Sequence, residues 1–156
     1  MIAYDISNLA LLLVKKNISM RSLLRSVLRE LGITNLRDTG YTNTAFDMHI
    51  EKPADLVMTD WSPGLDGMKL LRRLRIDEKS QDPCVPVIII SAYSEMSHVY
   101  EARDLGMTEY LAKPISASLV FSRIRSVIER RRLFVRDGSF FGPDRRRRKI
   151  EFDGTD

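Results

Sequence analysis

The sequence predicts an α/β fold built on a parallel sheet with helices on both faces. Three observations predict it. Residues 9–14, 56–58 and 85–90 are unbroken apolar runs, the pattern of strands buried on both sides. Amphipathic stretches with helical spacing separate the runs. Strand and helix signals alternate five times with short connections, an order that a parallel sheet satisfies.

The elements follow in order. Leu9 to Val14 is the first strand, and Lys15-Lys16-Asn17 turns the chain. Asn17 or Ser19 can cap a helix that puts Leu23, Leu24, Val27, Leu28 and Leu31 on one face and stops at Gly32. Residues 33–39 carry a weaker strand signal, and 42–51 read as a helix ending before Pro53. Leu56 to Thr59 is a buried strand closing on Asp60, and Pro63-Gly64 through Gly67 make a loop. The next helix divides into an apolar face (Leu70, Leu71, Leu74) and a basic face (Arg72, Arg73, Arg75). Val85 to Ile90 is a third buried strand, ending at Ser91. Residues 95–105 suit a helix ending at Gly106, and Glu109 to Ala112 a short strand before Lys113-Pro114. Ser116 can cap a last helix with Leu119, Val120, Ile124, Val127 and Ile128 inward.

Charge divides the chain unevenly. Residues 130–149 hold nine basic and two acidic residues, a net +7, whereas 1–129 hold 16 of each sign. A neutral body with one cationic end suggests a body that docks and an end that grips an anion. Residues 1–134 are therefore read as one domain. Residues 135–156 are read as an arginine-rich tail, too poor in apolar residues for a core and disordered or partly ordered without ligand. No apolar run is long enough to span a membrane, and Asp5 ahead of the first run argues against a signal peptide. The single Cys84 excludes an intramolecular disulfide, and a cytoplasmic protein is expected. His49 and His98 stand alone and are read as surface or half-buried side chains rather than metal ligands.

In such a sheet, functional residues sit at the carboxyl ends of the strands. Lys15, Asp60, Ser91 and Lys113 all fall there. A carboxylate, a hydroxyl and an ammonium at neighbouring strand ends suit phosphoryl chemistry, with the carboxylate as nucleophile and the other two holding phosphate oxygens.

This set resembles the receiver domain of two-component response regulators, in particular the single-domain CheY-like members. The carriers are LVMTDW with Asp60, IIISA with Ser91, EYLAKP with Tyr110, Lys113 and Pro114, and LLLVKKNISMRSLLRSVLRELG, over residues 8–130. The resemblance implies a CheY/flavodoxin-like (βα)5 fold, a doubly wound five-stranded parallel sheet. It implies Asp60 as phosphoacceptor position, Ser91 as switch hydroxyl, Tyr110 as switch aromatic and Lys113 as phosphate-binding lysine. Two features depart from the family. A pair of acids that binds Mg²⁺ there is replaced by Lys15 and Lys16, and the loop from Asp60 to Gly67 is one residue short. A hard cation takes about six oxygen ligands, and two ammonium groups at its seat remove ligands and add repulsion. Each lysine could pair with Asp60 instead. The expectation is a receiver without Mg²⁺, with Asp60 phosphorylated slowly or not at all, and no enzymatic activity.

The tail is more than a charge run, although a charge run is usually just a solvated segment. Arg132-x-x-x-Arg136 abuts Asp137-x-Ser139-x-x-Gly142, Phe140 and Phe141 lie within it, and Asp144 precedes Arg145, Arg146, Arg147 and Arg148. Cyclic di-GMP would want these groups: arginine for phosphates and for guanine O6 and N7, a carboxylate for the guanine N1–H and amino group, and a flat face for stacking. The spelling resembles the RxxxR and DxSxxG elements of PilZ-type cyclic-di-GMP receptors, although there the two lie well apart and on a barrel absent here. A closer resemblance, over the whole chain, is to the Cle proteins, CheY-like regulators with an arginine-rich C-terminal extension. It implies cyclic-di-GMP binding through Arg132, Arg136, Asp137, Ser139 and the Asp144–Arg148 segment. It also implies docking to the flagellar motor switch, or another protein, through the face of the fourth helix, fifth strand and fifth helix. An ordinary phosphorylated regulator with a nonspecific tail is the alternative. Nucleic-acid binding finds no recognisable reading module in the chain.

Overall fold

The computed structural model describes residues 8–80, 82–93 and 95–129, together with the backbone of two strands at 134–137 and 140–143. Five strands, β1 (Leu11–Val14), β2 (Leu36–Thr39), β3 (Leu56–Trp61), β4 (Val87–Ser91) and β5 (Glu109–Ala112), pair in the order β2-β1-β3-β4-β5. All four pairings are parallel. The central strands β1, β3 and β4 are buried along their whole length, as their uninterrupted apolar runs require.

Five helices cover the sheet: α1 (Ile18–Glu30), α2 (Thr42–Glu51), α3 (Gly67–Ile76), α4 (Met96–Asp104) and α5 (Ala117–Glu129). Alternation along β1 sends Leu11 and Leu13 to one core and Leu12 and Val14 to the other. The first core holds Leu24 and Leu28 of α1 with Val120 and Ile124 of α5. The second holds Phe46 of α2, Leu70, Leu71 and Leu74 of α3, and Ala102 of α4. Each such buried side chain contributes about 1.5–3 kcal/mol, so the two layers together hold the sheet between them.

Local signals set the helix ends. The Asn17 side chain accepts from Met20 N at 2.9 Å, and Ser116 Oγ accepts from Leu119 N at 3.1 Å. Gly32 and Gly106 end α1 and α4 at φ of 101° and 97°, a conformation that disfavours any side chain. Three expectations need correction. Leu23 is 58% exposed, because α1 turns Leu24 and Leu28 into the core and Leu31 against it, which leaves Leu23 to the side. Arg75 is buried rather than on the basic face, since its guanidinium donates to the carbonyls of Gly106, Pro83 and Val85. His49 is likewise fully buried, its Nδ1 accepting from Ala54 N at 3.0 Å.

Beyond α5, strands β6 (Phe134–Asp137) and β7 (Phe140–Pro143) pair antiparallel, with Arg136 opposite Phe141 and Asp137 opposite Phe140. The backbone of β7 runs beside α3. Arg132, Ser139 and Asp144 to Arg148 lie outside the described residues. Among the described residues no helix is long and apolar enough to cross a membrane.

Candidate functional site

The strand order reverses at β1, where β2 lies on one side and β3 on the other, and the crevice opens at their carboxyl ends. Asp60 is the penultimate residue of β3, and Lys15 directly follows β1. Parallel register sets Val14 beside Thr59, and Lys15 N donates to Thr39 O at 3.0 Å, so the backbone turns Lys15 toward Asp60. Lys113 follows β5, anchored by its own N–H donating to Ser91 O at 2.9 Å.

The result is one carboxylate oxygen between two ammonium groups. Lys113 Nζ lies 2.8 Å and Lys15 Nζ 3.4 Å from Asp60 Oδ1. Ser62 Oγ donates to the other oxygen, Oδ2, at 3.2 Å. Asp60 and Lys15 are buried, and Lys113 is half-buried. Burial holds the Lys15 ammonium below the ordinary lysine pKa, and the attraction of Asp60 only partly offsets it. Burial is the largest single influence on Lys113 and opposes its charge, but the hydrogen bonds to Asp60 and Lys15 and the Asp60 charge together outweigh it and raise that pKa. One carboxylate serves Lys113 better than Lys15 because Lys113 is nearer.

Lys16 behaves differently from its neighbour. It is exposed, forms no ion pair among the described residues, and its methylenes lie over Gly64 in the β3–α3 loop. That loop is closed by paired backbone bonds between Ser62 and Leu65, both 3.1 Å, and Asp66 caps α3 by accepting from Lys69 N. The shortened loop is thus a tight turn that delivers Gly67 directly beneath Asp60.

Ser91 and Tyr110 do not touch Asp60 in this arrangement. Ser91 Oγ donates to Trp61 O and accepts from Tyr93 N, both at 2.9 Å, and Tyr110 Oη donates to Tyr93 O. The Tyr93 ring stacks on His98 with centroids 4.7 Å apart and meets the Trp61 indole edge-on at 5.0 Å. Ser91 and Tyr110 are therefore linked to the carboxylate through the β3 backbone and the β4–α4 loop. Sequence reasoning missed Trp61, Ser62, Tyr93 and His98 in this network. It also missed Arg21 and Asp38: Arg21 donates to Lys15 O at 2.8 Å and pairs with Asp38 at 2.8 Å, and Arg25 joins the same carboxylate. Adjacency to Asp60 could have flagged Trp61 and Ser62; the others meet only through the fold.

The donor set does not fit a hard divalent cation. Such an ion takes about six oxygens, several of them anionic. Among the described residues no three His, Cys, Asp or Glu side chains converge, and Asp60 Oδ1 already faces two ammonium groups.

Comparison with known proteins follows the same lines. Residues 11–125 match the response regulator receiver domain. The chain is 32% identical over 121 residues to chemotaxis protein CheY of Pseudomonas aeruginosa, covering 77% of this chain and 96% of that one. It is 32% identical over 124 residues to chemotaxis protein CheY-3 of Vibrio cholerae, covering 79% and 94%. Among solved structures, a putative response regulator from Chloroflexus aurantiacus superposes with a TM-score of 0.70 at 24% identity, covering 78% and 98%. CheY4 of Vibrio cholerae gives 0.68 at 18% identity, covering 76% and 98%; both likenesses speak for the fold. With its (βα)5 sheet, its strand-end carboxylate and lysine, and this match, the chain belongs to the response regulator receiver domain family of two-component signalling and is CheY-like.

Proposed function

We propose that this chain is a non-enzymatic receiver whose input is cyclic di-GMP rather than phosphorylation. The observation that carries the reading is the Lys15 ammonium buried 3.4 Å from Asp60 Oδ1, at the position where the receiver resemblance implies a metal-binding acid. A divalent cation would supply the positive charge that neutralises the phosphoryl group during transfer, and acidic side chains would have to hold it. A fixed ammonium supplies positive charge but no coordination sites, so Mg²⁺ is not held and Asp60 stays unphosphorylated. Lys15, Lys113 and Asp60 then act as a permanent clamp on the receiver.

The input moves to the tail. Arg132, Arg136, Asp137, Ser139 and the run from Asp144 to Arg148 supply the guanidinium, carboxylate and hydroxyl groups that two phosphates and two guanines take up. The paired strands β6 and β7 set the backbone of Arg136 opposite that of Phe141. The output is docking to a protein, with the flagellar motor switch as first candidate given the chemotaxis relatives, and recruitment from the cytoplasm to the motor. Tyr100 and Met96 on α4 are the large exposed apolar side chains on the corresponding face.

A second reading keeps Asp60 as phosphoacceptor, and the Asp60–Lys113 pair with Ser91 at the next strand end favours it. Calorimetric titration with cyclic di-GMP at near-physiological salt separates the two. The full chain binds, a chain ending at Phe134 does not, and GTP does not compete. Absence of binding, or equal binding of GTP, overturns the first reading.

A further inference from the structure

A cavity of about 240 Å³ opens beside the strand-end cluster, between α1 and the start of α5. Leu23, Leu24 and Val27 form one wall, and Ile115, Ala117 and Val120 the other. Met20 and Leu23 stand exposed at its opening, which leaves apolar surface in water that the fold does not cover. Two charged residues line it, Lys15 and Lys113, and no acidic residue does. Among the described residues one carboxylate pairs with these ammonium groups, and both share its Oδ1: Asp60, at 3.4 Å from Lys15 and 2.8 Å from Lys113. Two positive charges therefore meet one negative charge at the inner end of an apolar cavity. Burial holds the Lys15 pKa down despite Asp60, the sign of a cation whose partner is insufficient.

Apolar walls with a few convergent polar groups are the usual build of a small-molecule site. The volume lies below the roughly 300–1,000 Å³ of drug-sized sites, so it suits a short hydrocarbon body rather than a nucleotide. The charge selects the head group. One unanswered positive charge matches a monoanion, and a carboxylate can accept from both ammonium groups in charge-assisted hydrogen bonds. The cap residue Ser116 and Ala117 also line the cavity, so the positive end of α5 faces it and favours an anion further. We propose that this cavity binds a small carboxylic acid with an apolar body, its carboxylate at Lys15 and Lys113 and its hydrocarbon between α1 and α5. The bound acid competes with Asp60 for the two lysines and so loosens the clamp. Ligand and clamp are then coupled, and the coupling is reciprocal. The site lies wholly within the described residues and is independent of the tail reading.

Methyl NMR titration of the full chain with hexanoate, and with neutral hexanamide of nearly the same shape, tests this. Hexanoate should shift the methyl signals of Leu24, Val27 and Ile115 saturably, and hexanamide should bind about tenfold or more weakly, the scale of a hydrogen bond to a charged group. Two variants test the two halves of the site. M20Q/L23Q changes only exposed side chains and should weaken hexanoate by about fivefold or more, through lost apolar contact. D60N removes the competing carboxylate and should bind hexanoate more tightly than the wild-type chain, a gain that a merely apolar cavity would not show. Absence of a saturable shift in the wild-type chain overturns the site. Equal binding of hexanamide, or an unchanged or weakened affinity in D60N, overturns the role of the lysines and with it the ligand class. Unchanged affinity in M20Q/L23Q places the acid elsewhere and overturns the cavity as its seat.

Discussion

Lys15 holds its ammonium 3.4 Å from Oδ1 of Asp60, with about 8% of the Lys15 side chain and 7% of the Asp60 side chain exposed. Lys113 approaches the same oxygen at 2.8 Å. Two cations share one acceptor, and the nearer one gains while the more buried one loses, as the opposite directions of their pKa displacements indicate.

The clamp is therefore asymmetric in stability. K15M removes a desolvated charge that Asp60 only partly compensates, so its unfolding free energy should stay within about 1 kcal/mol of the wild-type chain. K113M removes the better partner and leaves Asp60 facing Lys15 alone, a loss of about 1–2 kcal/mol after allowing for the partial exposure of Lys113. Urea midpoints at neutral pH measure both, and the reverse order would contradict the assignment of partners.

Gly67 has a steric role. A Cβ there would lie 2.2 Å from the Asp60 carbonyl oxygen, with the Thr59 hydroxyl also inside ordinary contact at 3.3 Å. Backbone cannot yield as a flexible side chain can. G67A should cost about 2 kcal/mol and shift the fluorescence of Trp61, because the end of β3 must move away from the start of α3.

Arg75 is a structural cation. Burial pushes its pKa down to about 10, so it remains charged at neutral pH while donating to three carbonyls at 2.7–3.0 Å. R75M leaves those carbonyls without their donor and should destabilise the chain by about 3 kcal/mol. R75K, with one point charge in place of a planar fork, should recover only part of that loss.

His49 makes stability pH-dependent. Its burial lowers the imidazole pKa below the ordinary 6.5, and Nδ1 must stay unprotonated to accept from Ala54 N. The group facing it that favours protonation is Asp82, while Arg37 and Arg75 oppose it. The unfolded chain then binds more protons than the folded chain below about pH 6.5, so this contribution is complete above that pH and is lost as pH falls. Urea midpoints should decline between pH 7.5 and 5.5, and H49N, which retains an acceptor without titrating, should flatten that part of the decline.

Much of this architecture was legible because burial on both faces leaves an unmistakable mark. The runs at β1, β3 and β4 are apolar up to their carboxyl ends, where Lys15, Asp60 and Ser91 lie. Strand β2 was harder: it lies at the sheet edge with only Thr39 buried, so it begins at Leu36 rather than at 33. Asp60 and Lys113 were placed at their strand ends from sequence and do meet. Two adjacent lysines look alike in a sequence, however; the register of β1 alone decides that Lys15 turns in and Lys16 out. The inward turn of Arg75 depends on carbonyls of two distant loops, which no helical periodicity encodes. The side chains of the tail lie outside the described residues, so its ligand chemistry rests on composition and on the pairing of β6 with β7.

The most direct measurement is intact-protein mass after incubation with acetyl phosphate and Mg²⁺, for the wild-type chain, D60N and K15D/K16D. The account predicts no phosphoryl adduct on the wild-type chain or D60N, and a Mg²⁺-dependent adduct on K15D/K16D, where carboxylates replace both ammonium groups. A stoichiometric, Mg²⁺-dependent adduct on the wild-type chain that is absent from D60N would contradict it.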